Sequence, residues 1–231
     1  MIYLYCLMTI IAFFLAVAIN KRIKSLVFNS FVITVCLLIA ILLIFHIPYH
    51  DYIEGNKPLS SLLGPSIVAL ALPLYEQLKQ IKQYWRSILF ITTISSAFAM
   101  LSGSFIAYLF GANQQIMATI FAKSITTPLA MAVSGTIGGV PTVTVVLVII
   151  AGLIGSVLGY TIMKLLRIKN SEAAGLAIGT ASHALGTAAC MEIDKKAGTY
   201  SSIALVLCGV ITSLIAPLLF DLLLIVSKIF S

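Results

Sequence analysis

Long apolar runs alternate with short polar breaks along the whole chain, and each run is about as long as a helix needs to cross the hydrocarbon core of a bilayer. The runs cover residues 2–19, 26–48, 59–75, 87–110, 142–163 and 199–226, with two further segments, 115–137 and 172–192, that are apolar but interrupted. Within the runs, apolar residues follow one another continuously instead of alternating, and an open sheet edge has no partner for its backbone in lipid. The pattern predicts an all-α polytopic membrane protein with about six full transmembrane helices and two broken helical segments. A β-barrel is excluded.

The interruptions refine this picture. Residues 59–75 hold Gly64-Pro65 and Pro73, so that span is predicted to be kinked or partly unwound. Residues 49–58 read as a polar loop with turn chemistry, and Leu78, Ile81 and Trp85 between cations predict an interfacial amphipathic helix over 76–86. The whole chain, 1–231, reads as a single integral membrane domain, with N-terminal spans and the interfacial helix in 1–86 and a transport core in 87–231.

Charge decides how the broken segments run. If 115–137 and 172–192 both crossed fully, eight Lys and Arg would face one side and five the other. If each enters and returns on its own side, eleven cations fall inside, only Lys57 and Lys228 outside, and Lys123 within the membrane. Cytoplasmic loops carry an excess of Lys and Arg, so the second arrangement is the expected one, with the N-terminus outside. Its consequence is an inverted repeat, each unit a span followed by a re-entrant segment. Non-helical backbone at membrane depth persists only beside protein or water, which predicts a shared cavity near the midplane.

The chemistry of the broken segments fits such a cavity. Lys123, Ser124, Thr126 and Thr127 precede a helix-breaking Pro128; Ser182, His183, Gly186 and Thr187 follow a second expected break at Gly179. A lysine in the membrane calls for a carboxylate partner or a wet cavity, unless it snorkels to a headgroup. His183 suits an anion or a coupled proton, or simply a hydrogen bond to a helix carbonyl. The small residues around it admit a small ligand or a tightly packed helix, and packing is the preferred reading of Gly155-x-x-x-Gly159 and Gly175-x-x-x-Gly179. Of the acids, Glu172 is placed at a helix N-terminus, Glu192 and Asp194 in a solvated turn, and Asp221 in the last span, facing a partner or an interfacial cation.

Composition narrows the function classes. The chain is 61% hydrophobic and 9% charged, with a net charge of +7 that sits in short clusters, without the basic stripe of a nucleic-acid binder. The four cysteines lack metal or disulfide spacing, and no nucleotide loop or catalytic triad is present, so neither cofactor, metal nor enzyme activity is expected. No signal or transit peptide is read at the N-terminus.

The Gly179–Ala188 segment (G-x-x-S-H-x-x-G-T-A), the K-S-I-T-T-P of Lys123–Pro128, the G-G-V-P-x-x-T of Gly138–Thr144 and the S-S-I-A-L-V-L of Ser201–Leu207 together resemble the LrgB/CidB family. The resemblance runs from about Gly64 to Pro217. It implies an antiholin-like protein of a bacterial plasma membrane that modulates murein hydrolase activity and lysis with a small holin-like LrgA/CidA-type partner. It also implies, through plastid and bacterial relatives, a carrier for glycolate, glycerate or pyruvate. The implied substrate is a small monocarboxylate, coupled to protons or another ion, contacted by Lys123 and His183 with the neighbouring hydroxyls. The alternative is a regulatory membrane protein without a solute path, and a homo-oligomer is compatible with either.

Overall fold

The computed structural model describes residues 2–23, 30–62, 65, 68, 75 and 78–229. Among them all regular structure is helical, and four helices are long and apolar enough to cross a membrane. This is a multi-pass membrane protein. Its contacts divide it into two compact units, Met1–Val68 and Ala69–Ser231. The expected span at 59–75 lies largely outside the described residues.

The first unit contains α1 (Ile2–Ile23), α2 (Ser30–Ile44), α3 (Tyr49–Gly55) and α4 (Lys57–Ser61). α1 packs on α2 and on α3. The polar stretch expected to be a loop is helical instead, because α1 supplies partners for it. Cys6 Sγ donates to the Gly55 carbonyl at 3.1 Å, and the Thr9 hydroxyl meets Tyr52 Oη and Asn56 Oδ1, each at 2.9 Å. Pro48 and Pro58 stand at the start of the two short helices, where a missing N–H costs nothing.

The second unit opens with α5 (Leu78–Leu109). The expected interfacial helix and the span after it form one element, interrupted at Tyr84 (φ −124°, ψ 24°). The chain then runs through α6 (Gln114–Phe121), α7 (Thr127–Thr136), α8 (Pro141–Leu165), α9 (Ser171–Ile193) and α10 (Lys195–Ile229). α10 starts four residues before the predicted span and carries Pro217 inside it. Thr92, Ser96 and Ser104 of α5 are fully buried, which turns its hydroxyl-bearing face inward. Met117 and Phe121 of α6, Ile125, Val148 of α8 and Phe220 of α10 share one core, in which Phe121 and Phe220 meet edge to face at 5.2 Å.

Both interrupted segments are helical hairpins. A straight helix of the 23 residues of α9 would hold its ends about 34 Å apart. Instead, Ser171 at its start donates a hydrogen bond to Asp194 just after its end, and Glu172 pairs with Lys196 at 3.0 Å. Ile178 and Cys190, on opposite arms, share a core with Ala197. In the other hairpin, Thr144 Oγ1 of α8 reaches both the Thr119 carbonyl on α6 (3.0 Å) and Ser134 Oγ on α7 (2.7 Å), which joins the two arms.

Candidate functional site

The reversal in α9 falls at His183 (φ 42°, ψ −138°), four residues beyond Gly179, where the sequence placed it. Gly179 stays helical because its missing Cβ serves another purpose: a Cβ there would stand 2.3 Å from the Ser201 carbonyl of α10. Gly175 likewise admits the Ala197 carbonyl, so small-residue packing is the role of this pair. The turn itself is seated on a bare strip of α8. Gly155 faces Ser182, Gly152 faces the His183 ring, and any side chain at either would overlap them.

His183 is 5% exposed and its Nε2 lies 2.8 Å from the Val148 carbonyl. A carbonyl only accepts, so Nε2 carries the proton and Nδ1 is the ring's acceptor in the neutral form. The arrangement is the carbonyl-bonded one of the two readings of this residue, and it anchors the reversal to α8. A positive φ is costly for any side chain other than glycine's. His183→Gly is therefore expected to melt higher than His183→Ala, by about 1 kcal/mol, because both lose the Val148 bond and only glycine relieves the turn. Thermal melts of the two variants in detergent check this; helix propensity alone gives the opposite order.

The other hairpin reverses over Ala122–Thr126. Ala122 and Lys123 close α6, Thr126 is the N-cap of α7, and Pro128 occupies its first turn. Lys123 Nζ donates to Ser124 Oγ at 3.3 Å, and no carboxylate pairs with it among the described residues. The lysine stem crosses Gly103 of α5, where a Cβ would come within 2.8 Å of Cε. Thr126 Oγ1 is buried without a hydrogen-bond partner and does not cap α7, although an N-cap threonine ordinarily would. Half-helices thus begin beside both reversals, at Thr127 and just after His183, each with the partial positive charge of a helix N-terminus.

A cavity of about 400 Å³ between α8 and α9 brings the two tips together: Lys123 lines it from one hairpin, Ala181 and Ser182 from the other. The remaining walls are apolar, among them Leu147, Ile154 and Ile162. His183 and Thr187 do not line it. Thr187 donates to the His183 carbonyl and meets Ser201 Oγ, both at 2.8 Å, so it pins the returning arm to α10. Gly186 gives room to the side chains of Ser182 and Ile178 across the turn.

A family model described as the LrgB-like family matches residues 9–222. The chain belongs to the LrgB-like family. An uncharacterized protein of Haemophilus influenzae is 56% identical over 221 residues, 96% of each chain. Uncharacterized protein YxaC of Bacillus subtilis is 40% identical over 212 residues, 92% of each, and Holin-like protein CidB of Staphylococcus aureus is 34% identical over 217 residues, 94% of each. No solved structure matches.

In this LrgB-like chain the hairpins are held by polar residues that sequence reading passed over. Ser96 Oγ meets Cys208 Sγ at 3.1 Å, joining α5 to α10, and the Val140 amide donates to Thr119 Oγ1 at 2.9 Å. Asp194, read as part of a solvated turn, accepts from the Lys196 and Ala197 amides, from Ser171 and from Tyr160 Oη. The Ser171 hydroxyl first and the Ala197 amide next hold its carboxyl below the usual carboxylate range. Asn170 caps α9, which frees Glu172 for Lys196. Asp221 is exposed on α10. Thr92, Ser96 and Ser104 on one face of α5 are a sequence signal of an inward polar face, and Asn170 and Asp194 stand where helix N-caps do; the Ser96–Cys208, Val140–Thr119 and Tyr160–Asp194 bonds are long-range and have no such signal.

Proposed function

We propose that this LrgB-like protein carries small monocarboxylates of the pyruvate, glycolate or glycerate kind across a bacterial plasma membrane, at a site between the two hairpin tips. The observation that carries this reading is the meeting of Lys123 and Ser182 in one cavity; the Lys123 hairpin also holds a buried, unpartnered Thr126 hydroxyl and an uncapped helix N-terminus. A cation, free hydroxyls and helix N-termini are the groups that replace the hydration shell of a carboxylate. Two hairpins that reverse inside apolar segments fit an inverted repeat whose re-entrant arms enter from opposite faces, around six spans in all, with the N-terminus outside. His183 takes a positioning role in this account, and Ser124, Thr127, Gly186 and Thr187 shape the two tips.

The test is counterflow of labelled pyruvate, glycolate and glycerate into proteoliposomes holding the pure chain, with and without a small LrgA/CidA-type partner. Saturable counterflow of at least one substrate supports the carrier; none in either preparation removes it. The name of the staphylococcal relatives, Holin-like protein CidB, favours a second reading, in which the chain restrains such a partner and thereby murein hydrolase activity. Co-purification with the partner and no bound carboxylate would establish that reading instead. Carboxylate flux that alters membrane energetics would join the two.

A further inference from the structure

We infer that the second unit holds one anionic phospholipid, with its phosphate headgroup at the α8–α9 turn and an acyl chain in the groove between α8 and α9. This goes beyond the carrier reading and does not depend on it.

The turn borders a second, open cavity of about 360 Å³, and Lys164, Arg167 and Lys169 all line it. All three are exposed, and none is in an ion pair among the described residues. Asp194 is the single acid in the lining, and its carboxylate is already engaged by Ser171, Tyr160 and two amides, so the pocket is net cationic. Arg167 offers a planar fork of donors, which suits a phosphate better than a point charge does. Met163, Ile168 and Ala174 add an apolar part to the lining.

The two cavities meet at Met163, which lines both. From there the first cavity follows α8 back through Ile162, Gly159 and Ile154, almost without polar surface until Ser182 and Lys123. A small carboxylate makes use of that polar end alone. The apolar length between it and the cations matches an amphiphile, a headgroup on the basic turn and a chain lying along the helix. Leu158, Leu165 and Leu166, which continue this face, are largely exposed, as a lipid-facing surface requires. Basic pockets at the ends of membrane helices attract anionic headgroups, and the apolar groove excludes a free phosphate as the whole ligand.

The full chain, purified in detergent and offered phosphatidylglycerol and phosphatidylcholine in equal amounts, provides the test, with bound lipid read by native mass spectrometry. Phosphatidylglycerol should be retained in preference. The triple variant Lys164→Gln, Arg167→Gly, Lys169→Gln should lose at least about tenfold of that retention. Glycine suits the Arg167 turn (φ 56°), so this variant is expected to fold. Gly159→Leu, which leaves every charge in place and projects into the groove, should also lose it. Inorganic phosphate in excess should leave the lipid bound. Equal retention of the two lipids, or wild-type retention by the triple variant, overturns the inference. Displacement by phosphate, or wild-type retention by Gly159→Leu, overturns it too by removing the acyl chain from the groove.

Discussion

Gly155→Leu should unseat the α9 hairpin and lower the stability of the protein by about 3 kcal/mol or more. A Cβ at this position would lie 1.6 Å from Ser182 Oγ and 2.2 Å from Ser182 Cβ. A rotamer change moves the hydroxyl but not the Cβ, so the backbone at the reversal has to retreat from α8. That retreat breaks the His183–Val148 bond, which is made by the next residue, and leaves a buried ring donor unpaired, while the Val148 carbonyl keeps its bond within α8. Gly159→Ala is the control: its nearest neighbour would be Ile178 Cγ1 at 3.5 Å, an ordinary contact. Thermal melts in detergent separate the cases. Equal melting temperatures for Gly155→Leu and the wild type would mean that the reversal does not rest on α8.

Lys123→Ala should reduce carboxylate counterflow about ten- to a hundredfold, the loss expected for one hydrogen bond to a charged group. The fold should not suffer. A lysine within the membrane costs about 2.5–3.5 kcal/mol on insertion scales, and the partner of Lys123 is a neutral hydroxyl, Ser124 Oγ, at 3.3 Å. Removing it therefore relieves the fold of an uncompensated cation, and the melting temperature should hold or rise while transport falls. A structural lysine would behave in the opposite way. Unchanged counterflow in both Lys123→Ala and His183→Ala would sink the site assignment.

The outline of the molecule could be read from the sequence because membrane helices announce themselves in apolar runs, and both interrupted segments stood out by the polar residues inside them. At Pro128 the missing N–H and fixed φ favour the first turn of a helix, and α7 begins there. The helix of α9 runs on through Gly179. Glycine marks either conformational freedom or close approach, and Gly179 serves the second, toward the Ser201 carbonyl, while a histidine takes the left-handed turn. The His183 partner was hidden for a related reason: the Val148 carbonyl is backbone, and every residue has one. The stretch around Tyr52 was misread as loop because its anchors, Cys6 and Thr9, lie more than forty residues away in the sequence.

The placement of α8 has a consequence for how the tips can move. Its first turn holds the α6–α7 hairpin through Thr144, its middle holds the α9 reversal through Val148, Gly152 and Gly155, and its last turns reach the hairpin mouth through Tyr160 and Asp194. Both tips are thus registered on one ruler. A slip of α8 by a single residue, about 1.5 Å, would carry the two together and leave the gap between them nearly constant. In the proposed carrier, opening the site to either side of the membrane then has to displace this block as a whole, and a lesion at either end of α8 should be felt at both.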